Sequence, residues 1–232
     1  MKSVNLISMC ILSIIFLACT NEADKFETNA IRQNTNFKTL VTNPGNKDNP
    51  YDIFGQSYRN GLLLYKASSN KPDNYEDLFL LVQELSEGSL PAIEVQTTQQ
   101  LLAACMDTPY EVLGQILQNP LLSQTCITIL SGFLYNYNNL ANELFGKAYN
   151  DIIAIENSTI HSSSLSTEEQ RIILVVTSIT RYSLYHSCCE DTDWEKSVGN
   201  IIAALAGVLE SNRMAVEYSL ITSIAGLEEI QF

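Results

Sequence analysis

Basic side chains are scarce in this sequence, and their scarcity excludes one class of partner. The chain has 13 Lys and Arg residues against 26 Asp and Glu residues, which gives a formal net charge of −13 at pH 7. Affinity for nucleic acid depends on Lys and Arg side chains that displace counterions from phosphates. We therefore expect no nucleic-acid partner, and we expect no polybasic attraction to anionic lipid.

Motifs for catalysis and for cofactor binding are also missing. The sequence has no Gly-rich phosphate loop, no His-Glu-x-x-His pair, no calcium-binding loop and no nucleophile elbow. A Ser-His-acid triad requires a histidine, and the sequence has two candidates, His161 and His186, with no local signature around either. Residues 186–194 are rich in potential ligands, but they lack the spaced cysteine pairs of a zinc site. The sequence predicts a non-enzymatic protein with no cofactor and no metal.

The sequence contains no apolar run of membrane-spanning length, which takes about 20 residues. The run from Val4 to Ala18 is shorter and follows Lys2, so residues 1–18 are typical of a secretory signal peptide. Near the C-terminus, the apolar stretch 198–208 contains Asn200 and predicts a buried helix.

The end of the signal, Phe16-Leu17-Ala18-Cys19, resembles the lipobox of bacterial lipoproteins. The resemblance implies cleavage before Cys19 and acylation of that cysteine with chains such as palmitate. Two or more acyl chains, at roughly 0.8 kcal/mol per buried methylene, hold a protein stably at a membrane. We expect such an anchor here. The alternative is an ordinary secretory peptide in which Cys19 is incidental.

Composition divides the remaining chain into a tether and a domain. Residues 19–48 are polar and contain the turn signal Asn43-Pro44-Gly45-Asn46, which favours a flexible tether from the lipidated cysteine. Residues 49–232 carry most of the apolar residues. A hydrophobic content of 46% with 17% charged residues is typical of a globular protein with a full core.

Apolar residues spaced three and four apart predict α-helices throughout residues 49–232. Asn49-Pro50 suits the start of the first helix, and Ser166-Thr167-Glu168-Glu169 is a capping box. Residues 120–157 predict either one long helix or two with a break near 136–139. Residues 188–193 read as a loop before a helix that begins at Trp194. The predicted fold is all-α, a single bundle-like domain of about seven to eight helices.

Four cysteines remain after the signal peptide and the anchor: Cys105, Cys126, Cys188 and Cys189. Cys105 and Cys126 lie on apolar helix faces, where free cysteine is common as a small hydrophobe. A bond between adjacent Cys188 and Cys189 is disfavoured, because a trans peptide strains the ring. Either of them could instead bridge to Cys105 or Cys126 after export, or all four could stay reduced.

The last two predicted helices are rich in small residues, which let helices approach closely. The small residues of this stripe are Gly199, Ala203, Ala204, Ala206, Gly207, Ala215, Ser219, Ser223, Ala225 and Gly226. One interpretation is a tight helical hairpin in the core. The other is a hairpin that inserts into membranes, as in helical bacteriocins, although several charged residues on both helices weigh against insertion.

Two short motifs resemble a family of uncharacterised secreted or lipid-anchored proteins from Bacteroidetes-type bacteria. They are Asn49-Pro50-Tyr51-Asp52 with Gly55 and Asn60-Gly61-Leu62, and Arg181-Tyr182-Ser183-Leu184-Tyr185. The family has no assigned activity, so the resemblance implies no site. The resemblance also bears on localisation. Polar and acidic residues directly after the cysteine, here Thr20 to Lys25, are compatible with a location at the outer membrane.

The sequence leaves two leading hypotheses for function. The first is an outer-membrane lipoprotein that acts as a non-enzymatic interaction or structural module, with an unknown protein or glycan partner. The alternative is a bacteriocin- or toxin-related protein, or an immunity protein, that acts at membranes. An enzyme is the third hypothesis, and it would require a cavity that gathers His161 or His186 with carboxylates.

Overall fold

The computed structural model describes residues 43–86, 95–190, 197–230 and 232. These residues form an all-helical, bundle-like domain without strands, which confirms the predicted fold class. Residues 1–42, on which the predictions of a signal peptide, of lipidated Cys19 and of most of the tether fall, lie outside the described residues, and so does Trp194.

The chain folds into successive helices joined by short connections. They are α1 (Asp52–Ala67), α2 (Tyr75–Leu85), α3 (Val95–Asp107), α4 (Pro109–Ile116), α5 (Gln124–Tyr135), α6 (Tyr137–Asn142), α7 (Phe145–Ile160), α8 (Thr167–Tyr185), a π-helical turn (His186–Glu190), α9 (Val198–Val208) and α10 (Asn212–Glu228).

Helix α8 is the centre of the domain. Every residue from Ile172 to Leu184 is buried, and α1, α7 and α9 pack around this helix. Helices α9 and α10 form a hairpin beside it that is itself buried over most of its length. A helix that is apolar on all sides belongs in a core, so these three helices form the interior and the others cover them.

The small-residue stripe lies in the contact between α9 and α10. A Cβ atom on Gly207 would stand 2.3 Å from the backbone oxygen of Met214, so the two helices meet at a distance that only glycine allows. Ala203, Ala204 and Ala215 are fully buried. The structure therefore confirms the core-hairpin interpretation. Among the described helices, none combines the length and the apolarity needed to cross a bilayer.

The helix starts follow the sequence at some positions and depart from it at others. The Ser166 capping box is present, with Ser166 and Glu169 each bonded to the backbone of the other. Asn49 does not cap a helix directly, because α1 begins three residues later and the Asn49 side chain turns inward. The run 120–157 is neither one helix nor two. It breaks at Asn136 and again at Glu143–Leu144, which gives α5, α6 and α7.

The domain begins earlier than predicted. Residues 43–48, assigned above to the tether, pack on the helices, and Pro44 and Asn46 are buried. The physical reason is a set of hydrogen bonds from this segment to α7 and α8, including Asn46 Nδ2 to Glu156 Oε2 at 2.7 Å. Residues 43–48 therefore belong to the helical domain and not to the tether to which the sequence assigned them.

Candidate functional site

A buried ion network joins the first described residues to the core. Arg181 of α8 is fully buried and is the largest side chain so enclosed among the described residues. Its Nε donates to Glu156 Oε1 of α7 at 3.1 Å, and its Nη2 donates to Asp52 Oδ1 of α1 at 2.5 Å. Its Nη1 donates to the backbone oxygen of Pro44. One guanidinium thus holds two helices and the entering chain together.

Neutral donors complete the coordination of Glu156. Its carboxylate accepts hydrogen bonds from Asn46 Nδ2, from Asn49 Nδ2 at 2.9 Å and from Thr177 Oγ1 at 3.0 Å. Asp52, Glu156 and Arg181 together carry a formal charge of −1. A buried charge of this kind is tolerated only where hydrogen bonds replace the lost water, and these amide and hydroxyl groups supply them.

The carboxylate of Asp52 is equally enclosed by donors. Oδ2 accepts from Tyr182 Oη at 3.0 Å and from Gln56 Nε2 at 3.1 Å, while Oδ1 also accepts from the backbone N–H of Asn46 at 3.2 Å. Burial, and next the charge of Asp52, raise the pKa of Tyr182 to about 12. Tyr182 is therefore a neutral donor at physiological pH, and its proton stays on the phenol.

A glycine lets α1 lie directly on α8 at this point. A Cβ atom on Gly55 would stand 2.4 Å from both Ser178 Oγ and Tyr182 Cδ2. The close approach allows the Gly55 N–H to donate to Ser178 Oγ at 3.2 Å, and Ser178 Oγ to donate to the backbone oxygen of Asp52 at 3.1 Å. The start of α1, and with it Asp52, is thereby fixed relative to Arg181.

A pocket of about 500 Å³ opens above this network, and we call it the polar pocket. Its floor comes from the network and its rim from exposed side chains of the entering segment and of α1. The lining residues are Asn43, Gly45, Asn46, Lys47, Asn49, Asp52, Gln56, Arg59, Asn60 and Tyr182. The volume lies in the range of small-molecule sites, but the wall is much more polar than most of them.

One side of the pocket is held by a second charged group of residues. Glu190 accepts from Arg59 Nε at 3.0 Å and is 3.0 Å from His186 Nδ1. Burial acts to raise the pKa of Glu190, but hydrogen bonds from Arg59 and His186 outweigh it and the pKa lies below its ordinary value. Glu190 is the last residue of the π-helical turn, and its contact with Arg59 holds the Arg59 side chain at the rim of the pocket.

That turn carries a disulfide that the sequence argument had disfavoured. Cys188 and Cys189 are bonded to each other, with an S–S distance of 2.03 Å and a Cα–Cα distance of 3.8 Å. A Cα separation of this size belongs to a trans peptide, so the ring closes across a trans bond. The expectation that these adjacent cysteines would not pair is therefore wrong, and neither of the two alternatives, a bridge to Cys105 or Cys126 or four reduced cysteines, is found.

Cys105 and Cys126 are free and fully buried, as expected of small hydrophobes. Burial raises the pKa of both thiols to about 12, so neither forms a thiolate readily. Among the described residues, no group of three or more His, Cys, Asp and Glu side chains is arranged to hold a metal ion. Residues 191–193 of the ligand-rich segment lie outside the described part of the chain.

The two histidines stand apart. His161 ends α7 with its Nδ1 2.8 Å from the backbone oxygen of Asn157, whereas His186 is buried beside Glu190. Neither lines the polar pocket. The polar pocket therefore gives no support to the enzyme hypothesis, which required a cavity that gathers His161 or His186 with carboxylates.

A second pocket, of about 430 Å³, lies between α1, the end of α2 and α10. Its wall is more apolar, with Phe54, Leu64, Leu85, Val216 and Leu220, and it carries one cation, Arg213. Arg213 Nε donates to Glu217 Oε1 at 2.6 Å, while Arg213 Nη2 is buried and has no hydrogen-bond partner among the described residues. Most of the side chains that line this pocket are apolar, in contrast to those of the polar pocket.

Sequence reasoning missed the ion network because its members lie far apart in the chain. Arg181 and Asp52 are 129 positions apart, and Arg181 and Glu156 are 25 apart. One signal was available: Asp52 and Arg181 each fall within the two motifs that carry the family resemblance. The chain matches no protein-family model, and comparison with curated proteins and with solved structures found no similar protein.

Proposed function

We propose that this protein is a lipid-anchored, non-enzymatic binding module of the bacterial outer membrane, and that the polar pocket is its binding site. One observation carries the proposal: an open pocket of about 500 Å³ stands on a buried ion network. Binding sites gain affinity when their groups are held in place before the ligand arrives. Arg181, Asp52 and Glu156 hold them here.

The lining favours binding over catalysis. Among the described residues that line the pocket there is no Ser, Cys or His to serve as a nucleophile or as a base near neutral pH. Asp52, the carboxylate in the lining, already accepts four hydrogen bonds. It is therefore a poor general base, and the side chains of this wall are suited to holding a ligand.

The chain enters the domain at the edge of this pocket. Asn43 is the first described residue, and it is also part of the lining. The lipidated Cys19 expected from the lipobox would then lie 24 positions before the pocket along the chain, counted as 43 minus 19. An anchor at Cys19 would tie the domain to the membrane that carries it.

Fractionation of cells that express this protein tests the anchor. Wild-type protein should remain in the outer-membrane fraction, and Cys19→Ala should leave it or stay as an uncleaved precursor, because no lipid can be attached. Protease treatment of intact cells then decides which face displays the domain. A Cys19→Ala chain that is cleaved and still sediments with outer membranes would contradict the lipid anchor.

Thermal unfolding of the chain from Thr20 onward, without lipid, tests the binding site. A ligand at one hundred times its Kd stabilises a folded protein by about 2.7 kcal/mol and raises the unfolding temperature by several degrees. We expect stabilisers to come from a library of polar small molecules and saccharides, and expect Gln56→Leu to weaken their effect. If stabilisers act equally on wild type and Gln56→Leu, the polar pocket is not the site.

A further inference from the structure

The floor of the polar pocket has no free charge for a ligand. All four acceptor positions of the Asp52 carboxylate are occupied, by Arg181, Tyr182, Gln56 Nε2 and the Asn46 backbone. Because the carboxylate is saturated, it has no lone pair left for a metal ion or an ammonium group. The guanidinium of Arg181 is directed to Asp52, Glu156 and Pro44 and is equally engaged.

The rim also lacks the fork that recognises carboxylate or phosphate. Arg59 already directs both Nε and Nη2 to Glu190, so its bidentate edge is used within the protein. Lys47 is an exposed ammonium on a flexible side chain and acts as a point charge. The pocket is therefore poorly suited to a simple anion, and its polar wall is poorly suited to an apolar molecule.

Side-chain amides are the groups that remain available. The Asn60 amide, Asn43 Nδ2 and Gln56 Oε1 have hydrogen-bonding capacity that no described residue uses. All three side chains are exposed at the rim. An amide presents a donor and an acceptor side by side, and a hydroxyl group is both donor and acceptor. Neighbouring hydroxyls on a ring match this arrangement.

We infer that the polar pocket takes a polyhydroxylated ring, that is, a sugar unit of a glycan. The inference rests on the proposed function and gives its ligand a chemical class. Gln56 Oε1 and the Asn60 amide bind hydroxyls at the rim of α1, and Asn43 Nδ2 binds one from the opposite segment. The saturated floor supplies a fixed polar base on which the ring rests. Specificity comes from hydrogen bonds, because a ligand without hydroxyls leaves these amides unpaired when it covers them.

The test is an array of neutral and uronic-acid oligosaccharides, probed with the chain from Thr20 onward and followed by calorimetric titration of each hit. Gln56→Leu and Asn60→Leu should each weaken binding about tenfold, the effect of removing one well-placed hydrogen bond. Both residues are exposed, so both variants should fold. Gln115→Leu is the matched control, since Gln115 is an exposed helical glutamine outside the pocket, and it should bind as wild type does.

The outcomes separate this inference from the proposed function. A saccharide whose affinity falls in both pocket variants, and stays unchanged in the control, supports both. Saccharide binding that neither variant weakens would overturn the inference. Stabilisation by acetate, phosphate or an amine, dependent on Gln56 and without any saccharide hit, would also overturn it, although the binding module itself would stand.

Discussion

At the scale of single residues, Arg181 is the one cation of the buried ion network. It is fully buried and pairs with both Asp52 and Glu156. Replacing Arg181 by Met would leave two buried carboxylates without a countercharge. Removing one partner of a buried ion pair costs about 3–5 kcal/mol. We expect Arg181→Met to lower the free energy of unfolding by that amount in urea titrations.

A second substitution can show that the loss comes from uncompensated charge. In the Arg181→Met background, Glu156→Gln removes one of the two stranded carboxylates and should recover part of the stability, a coupling that a double-mutant cycle measures. Lys147→Met breaks an exposed ion pair with Glu143 and should change little. Equal stability of Arg181→Met and wild type would contradict the account of the network.

The residues of this network show where sequence reasoning ends. Asn49 was predicted to start a helix, but α1 begins at Asp52, and the Asn49 amide reaches Glu156 and the backbone of Leu174, 107 and 125 positions away. The local sequence pattern predicts the role of a residue in the helix or turn to which it belongs. It holds no information on which distant side chains will share a desolvated site, so the candidate pocket could not be predicted.

At the scale of helices, Glu169 connects two helix starts. It closes the capping box of α8 with Ser166, and its Oε1 accepts from the backbone N–H of Ser123, the N-cap of α5, at 2.6 Å. Hydrogen bonding from Ser123 and then from Ser166 lowers the pKa of Glu169 to about 2. A carboxylate with a lowered pKa stabilises the fold above its unfolded pKa, about 4.3, and that stability disappears as pH falls towards 2.

Glu169→Gln should therefore lower stability at neutral pH and reduce its decline between about pH 4.3 and 2. Urea titrations across that range measure both effects. Glu111→Gln is a suitable control, because Glu111 occupies the same third position of α4 but the N-cap Thr108 makes no side-chain cap hydrogen bond. An unchanged pH profile in Glu169→Gln would contradict the assigned role.

The starts of α4 and α8 share one sequence pattern, but the cap hydrogen bonds form only at α8. Thr108-Pro109-Tyr110-Glu111 and Ser166-Thr167-Glu168-Glu169 both place a hydroxyl three residues before a glutamate. The cap bonds form at Ser166, where Glu169 is buried against α5, and not at Thr108, where Glu111 is exposed. Apolar spacing predicted where helices occur, but tertiary burial decides which caps form.

The close contact between α9 and α10 should make position 207 intolerant of any side chain larger than that of glycine. Gly207→Ala would place a methyl group 2.3 Å from the backbone oxygen of Met214, so the helices must separate. Overpacking of this kind costs about 1–3 kcal/mol. The control is Gly132→Ala in α5, where nothing lies within 4 Å of the new Cβ and higher helix propensity should add up to about 1 kcal/mol. Thermal unfolding of both variants should show shifts of opposite sign, and a stabilised Gly207→Ala would contradict the close contact.

At the scale of the whole molecule, the entering segment is part of the fold. Composition placed residues 43–48 in the tether, because they are polar and contain a turn signal. Those polar groups are instead consumed inside the domain: Pro44 accepts from Arg181, Asn46 donates to Glu156, and Gly45 accepts from Tyr149 Oη at 3.0 Å. A polar segment becomes structural when buried charges supply its partners, and sequence composition does not reveal those partners.

Truncated chains test whether residues 43–48 belong to the domain or to the tether. A chain that begins at Asn43 retains every one of these hydrogen bonds and should unfold at the same urea concentration as the chain from Thr20. A chain that begins at Pro50 loses the Pro44, Asn46 and Asn49 contacts to the ion network. Hydrogen bonds to charged groups contribute roughly 1.5–3 kcal/mol each, so several kcal/mol should be lost and α1 should become open to proteolysis. Equal stability of all three chains would return residues 43–48 to the tether and remove the rigid support from the polar pocket.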